Sequence, residues 1–214
     1  MKSKNQLLLI GVMGLSAIFF DFIGYSIGFY LTKPLTTILI IGLPLRFPHA
    51  ELKKYSKSVL WGLVFCLIGD VFLLSESFFL YGLTSFLLGH LCFLYAFVSQ
   101  QGFRWPFVPG FLLISFAVGV LFLCYDNLGV FLIPVVVYIG VILVMSWQGV
   151  ALQQQKKHHD SFRYIGWAVS LFLLSDAMIA LNKFFVPLPF SGILILMTYW
   201  IAISLIAFSA SEES

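Results

Sequence analysis

The sequence predicts an all-α integral membrane protein: one domain over residues 1–214, built as a bundle of about eight transmembrane helices. Three observations lead there. Of the residues, 61% are apolar and 10% charged, against about 25% charged in an ordinary soluble domain, so a water-facing surface cannot be covered. The apolar residues come in long unbroken runs, such as Gly110–Cys124 and Val130–Trp147, not in the alternating segments of a membrane barrel. Backbone in lipid must also close its own hydrogen bonds, and a helix does so. Finally, a span needs about 20 apolar residues, so with short loops the 214-residue chain holds at most about eight.

Polar clusters and Pro or Gly separate the spans. The first, Leu7–Ile27, follows the polar stretch Met1–Gln6. No small-x-small cleavage site follows it and apolar sequence resumes after Asp21, so it reads as an uncleaved span and not a signal peptide. The second, Leu31–Leu45, reads as short, tilted or partly re-entrant, with Pro34 suited to its first turn. The others are Ser58–Leu74, Phe78–Ser99, Phe107–Tyr125, Val130–Gln148, Phe162–Leu181 and Phe190–Phe208. Cys66, Cys92 and Cys124 fall inside spans at spacings that fit no metal motif and read as small packing residues.

Eight spans put both termini on one side. That side carries Lys2, Lys4, Arg46, Lys53, Lys54, Lys57, Arg104, Lys156, Lys157 and Arg163; the other carries only Lys33 and Lys183. The positive-inside rule makes the basic side cytoplasmic. Topology thus accounts for the basic loops without a nucleic-acid partner, and His158 and His159 read as part of a solvated turn. Asp21, Asp70, Glu76, Asp126 and Asp176 all lie at or toward the opposite, non-cytoplasmic side. A faint parallel 4+4 repeat relates WGLVFCLIGD (61–70) to WAVSLFLLSD (167–176).

Asp70 and Asp176 are the main candidates for chemistry. An Asp inside a span costs about 2.5–3.5 kcal/mol at the helix centre, so such residues normally face the bundle interior and have a role; a polar contact between helices is the alternative. Two carboxyls in one apolar pocket can hold a single proton, leaving one as general acid and the other ionised. His90, inside the fourth span, can orient a carboxyl, relay a proton or bond a backbone carbonyl. As the sole His within a span, it makes a haem or multi-His metal site a poor fit, so neither metal nor cofactor is expected. Lys33, Asn182 and Lys183 can hold a lipid phosphate, or the lysines can simply snorkel to the interface. Asp21 joins this end, and Thr198 and Tyr199 are hydrogen-bond donors at mid-depth. No G-x-S-x-G, H-E-x-x-H or Gly-rich phosphate loop is present.

Five stretches carry a resemblance: TKPLTT at 32–37, GLVFCLIGDVFLL at 62–74, GLTSFLLGHLCFLYAF at 82–97, LFLLSDAMIALNKF at 171–184 and MTYWIAISLIA at 197–207. Taken in order, they resemble the YhhN-like lysoplasmalogenase family of multi-pass membrane proteins. The resemblance implies hydrolysis of the vinyl ether bond of lysoplasmalogens to a fatty aldehyde and a glycerophospho-choline or -ethanolamine. It implies that Lys33, Asp70, His90, Asp176, Asn182 and Tyr199 form the site, with a lysophospholipid, water and the bilayer as partners. One departure is Ile203, where family members often carry Gln. The chemistry suits an acid that protonates the β-carbon and a negative charge beside the resulting oxocarbenium ion. The compact chain and its charge split fit a bacterial inner membrane. The rival expectation is a proton- or cation-coupled transporter of small molecules or lipids that uses the same carboxyls.

Overall fold

The structure, a computed structural model, describes residues 3–211 apart from 48, 50, 157 and 158. Lys2, Lys157 and His158 lie outside the described residues, as does the side chain of Lys4. The described residues form eight α-helices and no strand: α1 Ser3–Phe22, α2 Ser26–Arg46, α3 Lys53–Phe72, α4 Phe79–Gln101, α5 Phe107–Cys124, α6 Leu132–Gln155, α7 Ile165–Phe184 and α8 Ser191–Ser209. All eight are long and apolar enough to cross a membrane, and the chain is an integral multi-pass membrane protein.

Four helices depart from expectation by five residues or more at a boundary, the third because it begins at Lys53 and not Ser58. The first helix stops at Phe22, because Gly24 at φ +69° turns the chain. The second is a full 21-residue helix, neither short nor re-entrant, and Pro34 stands at its ninth position instead of in its first turn. The sixth runs on to Gln155.

The dominant packing pairs are α3 with α4, α7 with α8, α1 with α2, and α4 with α6. Small residues bring α3 and α4 together. A Cβ on Gly69 would stand 2.6 Å from the Phe86 ring, and one on Gly89 would stand 3.1 Å from the Gly62 carbonyl oxygen. Close approach through small residues supports helix association in lipid, where apolar burial contributes little. Ser85 spans the same interface, its hydroxyl donating to the Phe65 carbonyl at 2.7 Å. The core is built mainly from α2, α3, α4, α6, α7 and α8. The outer helices α1 and α5 leave most of their apolar side chains for lipid.

Tyr55 and Ser56, near the start of α3, bond Ser209 and the Ala210 carbonyl at the end of α8, so these two ends share one face of the bundle. Toward the opposite face α3 stops early. Asp70, two residues from its end, stands opposite Thr37 and Tyr199. Those residues lie about 16 Å and 12 Å along their own helices from that face at 1.5 Å per residue. The segment 73–78 continues the chain outward from there, so a carboxyl at the end of one helix is deep within the bundle.

Candidate active site

Two clusters of buried polar side chains form the site. In the first, Asp70 is 1% exposed. Its Oδ2 accepts hydrogen bonds from the hydroxyls of Thr37 at 2.6 Å and Tyr199 at 2.8 Å. Its Oδ1 lies 4.0 Å from the Lys33 ammonium. Trp200 Nε1 donates to Thr37 at 3.4 Å. Lys33 is buried and also faces the Phe29 ring. It therefore does not snorkel; its charge is answered inside the bundle, where an unpaired ammonium would be costly.

In the second cluster, Asp176 Oδ2 accepts a hydrogen bond from the Tyr138 hydroxyl at 2.6 Å. His90 Nε2 stands 3.8 Å from the same oxygen, beyond hydrogen-bond range. His90 is fully buried, and neither of its ring nitrogens has a hydrogen-bond partner in the protein. Tyr138 packs edge-on against the imidazole at 5.2 Å between centroids.

Among the described residues, the two clusters share an aromatic layer and no hydrogen bond. The Phe172 ring lies 4.7 Å from His90 and 5.5 Å from Tyr199, edge-on to both. Asp70 on α3 is reached from α2 and α8, and Asp176 on α7 from α6 and α4.

Two cavities lie side by side near these clusters. One is a narrow apolar groove between α4, α5, α6 and α7. Apolar side chains line it except at Tyr138 and Asp176. The other is wider and polar, and is lined by Asp21, Lys33, Ser75, Glu76, Asn182 and Lys183 among others. Leu73, Phe79 and Ile179 line both, so the two are neighbours with a shared wall.

The structure therefore brings Asp70, Lys33 and Tyr199 together, and Asp176 with His90. Asp21 and Lys183 are exposed at the mouth of the polar cavity. Asn182 lines that cavity while its Oδ1 accepts from the Leu188 backbone N–H at 2.9 Å. Thr198 stands apart, with its hydroxyl donating to the Leu194 carbonyl of its own helix at 2.7 Å. Ile203 is fully buried in the apolar core. Thr37 and Tyr138 are additions. Thr37 lies inside the TKPLTT stretch, whereas Tyr138 sits in a Val- and Ile-rich run with nothing local to mark it. Among the described residues, no group of three His, Cys, Asp or Glu side chains comes together as a metal site.

Residues 28–210 match the model of the YhhN family. Among curated proteins, the chain is 32% identical over 197 residues to lysoplasmalogenase TMEM86A of Bos taurus, covering 89% of this chain and 72% of that protein. It is 34% identical over 159 residues to human lysoplasmalogenase TMEM86A, covering 71% of this chain and 64% of that protein. It is 33% identical over 159 residues to human lysoplasmalogenase TMEM86B, with shares of 73% and 64%. No solved structure gives a significant match.

Proposed function

This chain belongs to the YhhN family, and on that premise we propose that it hydrolyses the vinyl ether bond of lysoplasmalogens. The products are a fatty aldehyde and a glycerophospho-choline or -ethanolamine. One observation supports the reading above the others: a polar cavity with cations at its wall adjoins an apolar groove that holds a carboxyl. A lysolipid has that shape and that order of chemistry. Its phosphate takes Lys183 and Lys33, and its alkenyl chain takes the groove. Asp21 and Glu76 beside the lysines match a head group that carries an ammonium next to its phosphate. Asn182 lines the same cavity and completes the polar contacts.

An intramembrane carboxyl of the Asp70 and Asp176 pair supplies the acid and, once ionised, the negative charge that vinyl ether cleavage needs, with His90 beside Asp176. Side-chain protons carry the reaction, and no metal takes part. The relatives that match are named lysoplasmalogenases, which favours turnover over transport. The site faces the non-cytoplasmic side of a bacterial inner membrane on this reading, which the charge split supports.

The test is an aldehyde-release assay on purified protein in detergent, comparing 1-alkenyl, 1-alkyl and 1-acyl lysophospholipids. Cleavage of the alkenyl substrate alone is expected. Release of fatty acid from the acyl substrate at a comparable rate would mean an esterase.

A further inference from the structure

We propose that the two carboxyls have separate duties: Asp176 is the proton donor, and Asp70 is a positioning residue that holds Lys33 and Tyr199. This rests on the vinyl ether hydrolase reading above.

A proton donor has to touch the substrate. Asp176 lines the apolar groove and its side chain is 12% exposed, whereas Asp70 lines neither cavity and its side chain is 2% exposed. Partners separate the two as well. Asp70 receives two hydroxyl hydrogens on Oδ2 and faces an ammonium at Oδ1. Thr37 has one hydrogen and accepts from Trp200, so that hydrogen is committed to Asp70. A carboxyl surrounded by donors serves as an acceptor and has no proton to give. Among the described residues, Asp176 accepts a hydrogen bond from Tyr138 alone, at Oδ2, which leaves Oδ1 to carry a proton, and the residue lines the groove.

The chemistry closes on this second cluster. The Asp176 proton moves to the β-carbon of the alkenyl group, where the π pair forms the new C–H bond. The resulting oxocarbenium ion lies against the Asp176 carboxylate, which Tyr138 stabilises. Water adds its oxygen to the cationic carbon and passes a proton to the Asp176 carboxylate. The hemiacetal then breaks its bond to the glycerol oxygen. That oxygen takes the proton from Asp176, and the hemiacetal hydroxyl gives its own proton to the Asp176 carboxylate. One water is consumed, aldehyde and alcohol leave, and Asp176 is restored.

The experiment compares Asp176→Asn, Asp176→Glu and Asp70→Asn on lysoplasmalogen, with binding of an uncleavable 1-alkyl lysolipid as a second readout. Asp176→Asn is expected to lose about a hundredfold to ten-thousandfold in kcat, the usual contribution of a general acid, while binding the alkyl lipid like the wild type. Asp176→Glu recovers part of the rate. Asp70→Asn keeps most of kcat and raises KM, because Lys33 loses its counter-ion. If Asp70→Asn does not fold, Thr37→Val and Tyr199→Phe take its place, with the same expected split. Loss of kcat at unchanged KM in any of the Asp70-cluster variants overturns the assignment, as does full kcat in Asp176→Asn. A wild-type protein that binds the alkyl lipid yet releases no aldehyde overturns the functional reading itself.

Discussion

Tyr138→Phe isolates one hydrogen atom of the site. The change removes the hydroxyl that donates to Asp176 at 2.6 Å and keeps the ring that packs against His90. When Asp176 gives up its proton it becomes a carboxylate, and the Tyr138 hydrogen bond is stronger to that form than to the acid. Removing it makes Asp176 a poorer donor, so kcat falls. A hydrogen bond to a charged group contributes about 1.5–3 kcal/mol in water-soluble proteins, and cycles in membrane proteins run to about 0.6–1.7 kcal/mol. A range of about 1–3 kcal/mol corresponds to roughly 5- to 150-fold in rate. The assay is steady-state aldehyde release over a range of lysoplasmalogen concentrations, paired with thermal unfolding of the same preparation. The expected pattern is a lower kcat, a KM within about twofold and a melting temperature close to wild type, because the oxygen deleted lies at the edge of a cavity. Undiminished kcat would refute the part given to Tyr138. A collapse of melting temperature in step with the rate would show the tyrosine to be structural.

Other perturbations separate binding, packing and chemistry. Lys183→Ala removes an exposed cation from the polar cavity and is expected to raise KM about fivefold, an effect of about 1 kcal/mol, with kcat unchanged; an unchanged KM would take Lys183 out of phosphate binding. Gly89→Ala pushes a methyl group against the Gly62 carbonyl and should cost about 1–3 kcal/mol of stability, read as a lower unfolding midpoint; a midpoint at or above wild type would show that α3 and α4 separate freely. Gln148→Ala removes a side chain that bonds both the N–H and the carbonyl of Arg104. It should destabilise by about 1–3 kcal/mol per group left unpaired while activity per folded molecule stays the same. Dialysis against EDTA is expected to leave aldehyde release intact, and loss that a divalent ion restores would contradict a reaction run on side-chain protons.

The eight spans were legible because lipid permits little else: each apolar run has to become a helix. The second span was the hardest to read. Thr32, Lys33, Thr36 and Thr37 lower its hydropathy, and Pro34 suggests a helix start. All four polar residues are buried, and two of them, Lys33 and Thr37, serve Asp70. The polarity that disguised the span is the polarity that the site requires. Asp70, Asp176 and His90 stood out because charged or titratable groups inside a span are rare. Tyr138 did not, since it meets Asp176 from another helix, 38 residues away, and a tyrosine in an apolar run is ordinary packing. Thr198 shows the converse. Its position beside Tyr199 suggested a donor to the site, but one step along a helix turns a side chain by about 100°, and its hydroxyl stays on its own helix.

The early end of α3 changes what a lipid enzyme has to lift. Drawing a hydrocarbon chain out of its leaflet costs about 0.8 kcal/mol per methylene, so raising five of them would take about 4 kcal/mol before any bond is broken. Here the helix ends two residues after Asp70, and the polar cavity reaches inward to Lys33 in the gap. On the reading proposed, the aqueous phase is lowered to the ether, and the substrate keeps its tail at the depth it already occupies. The aldehyde, once formed, is released on the hydrocarbon side, while the glycerophospho head group is already in water and can diffuse away.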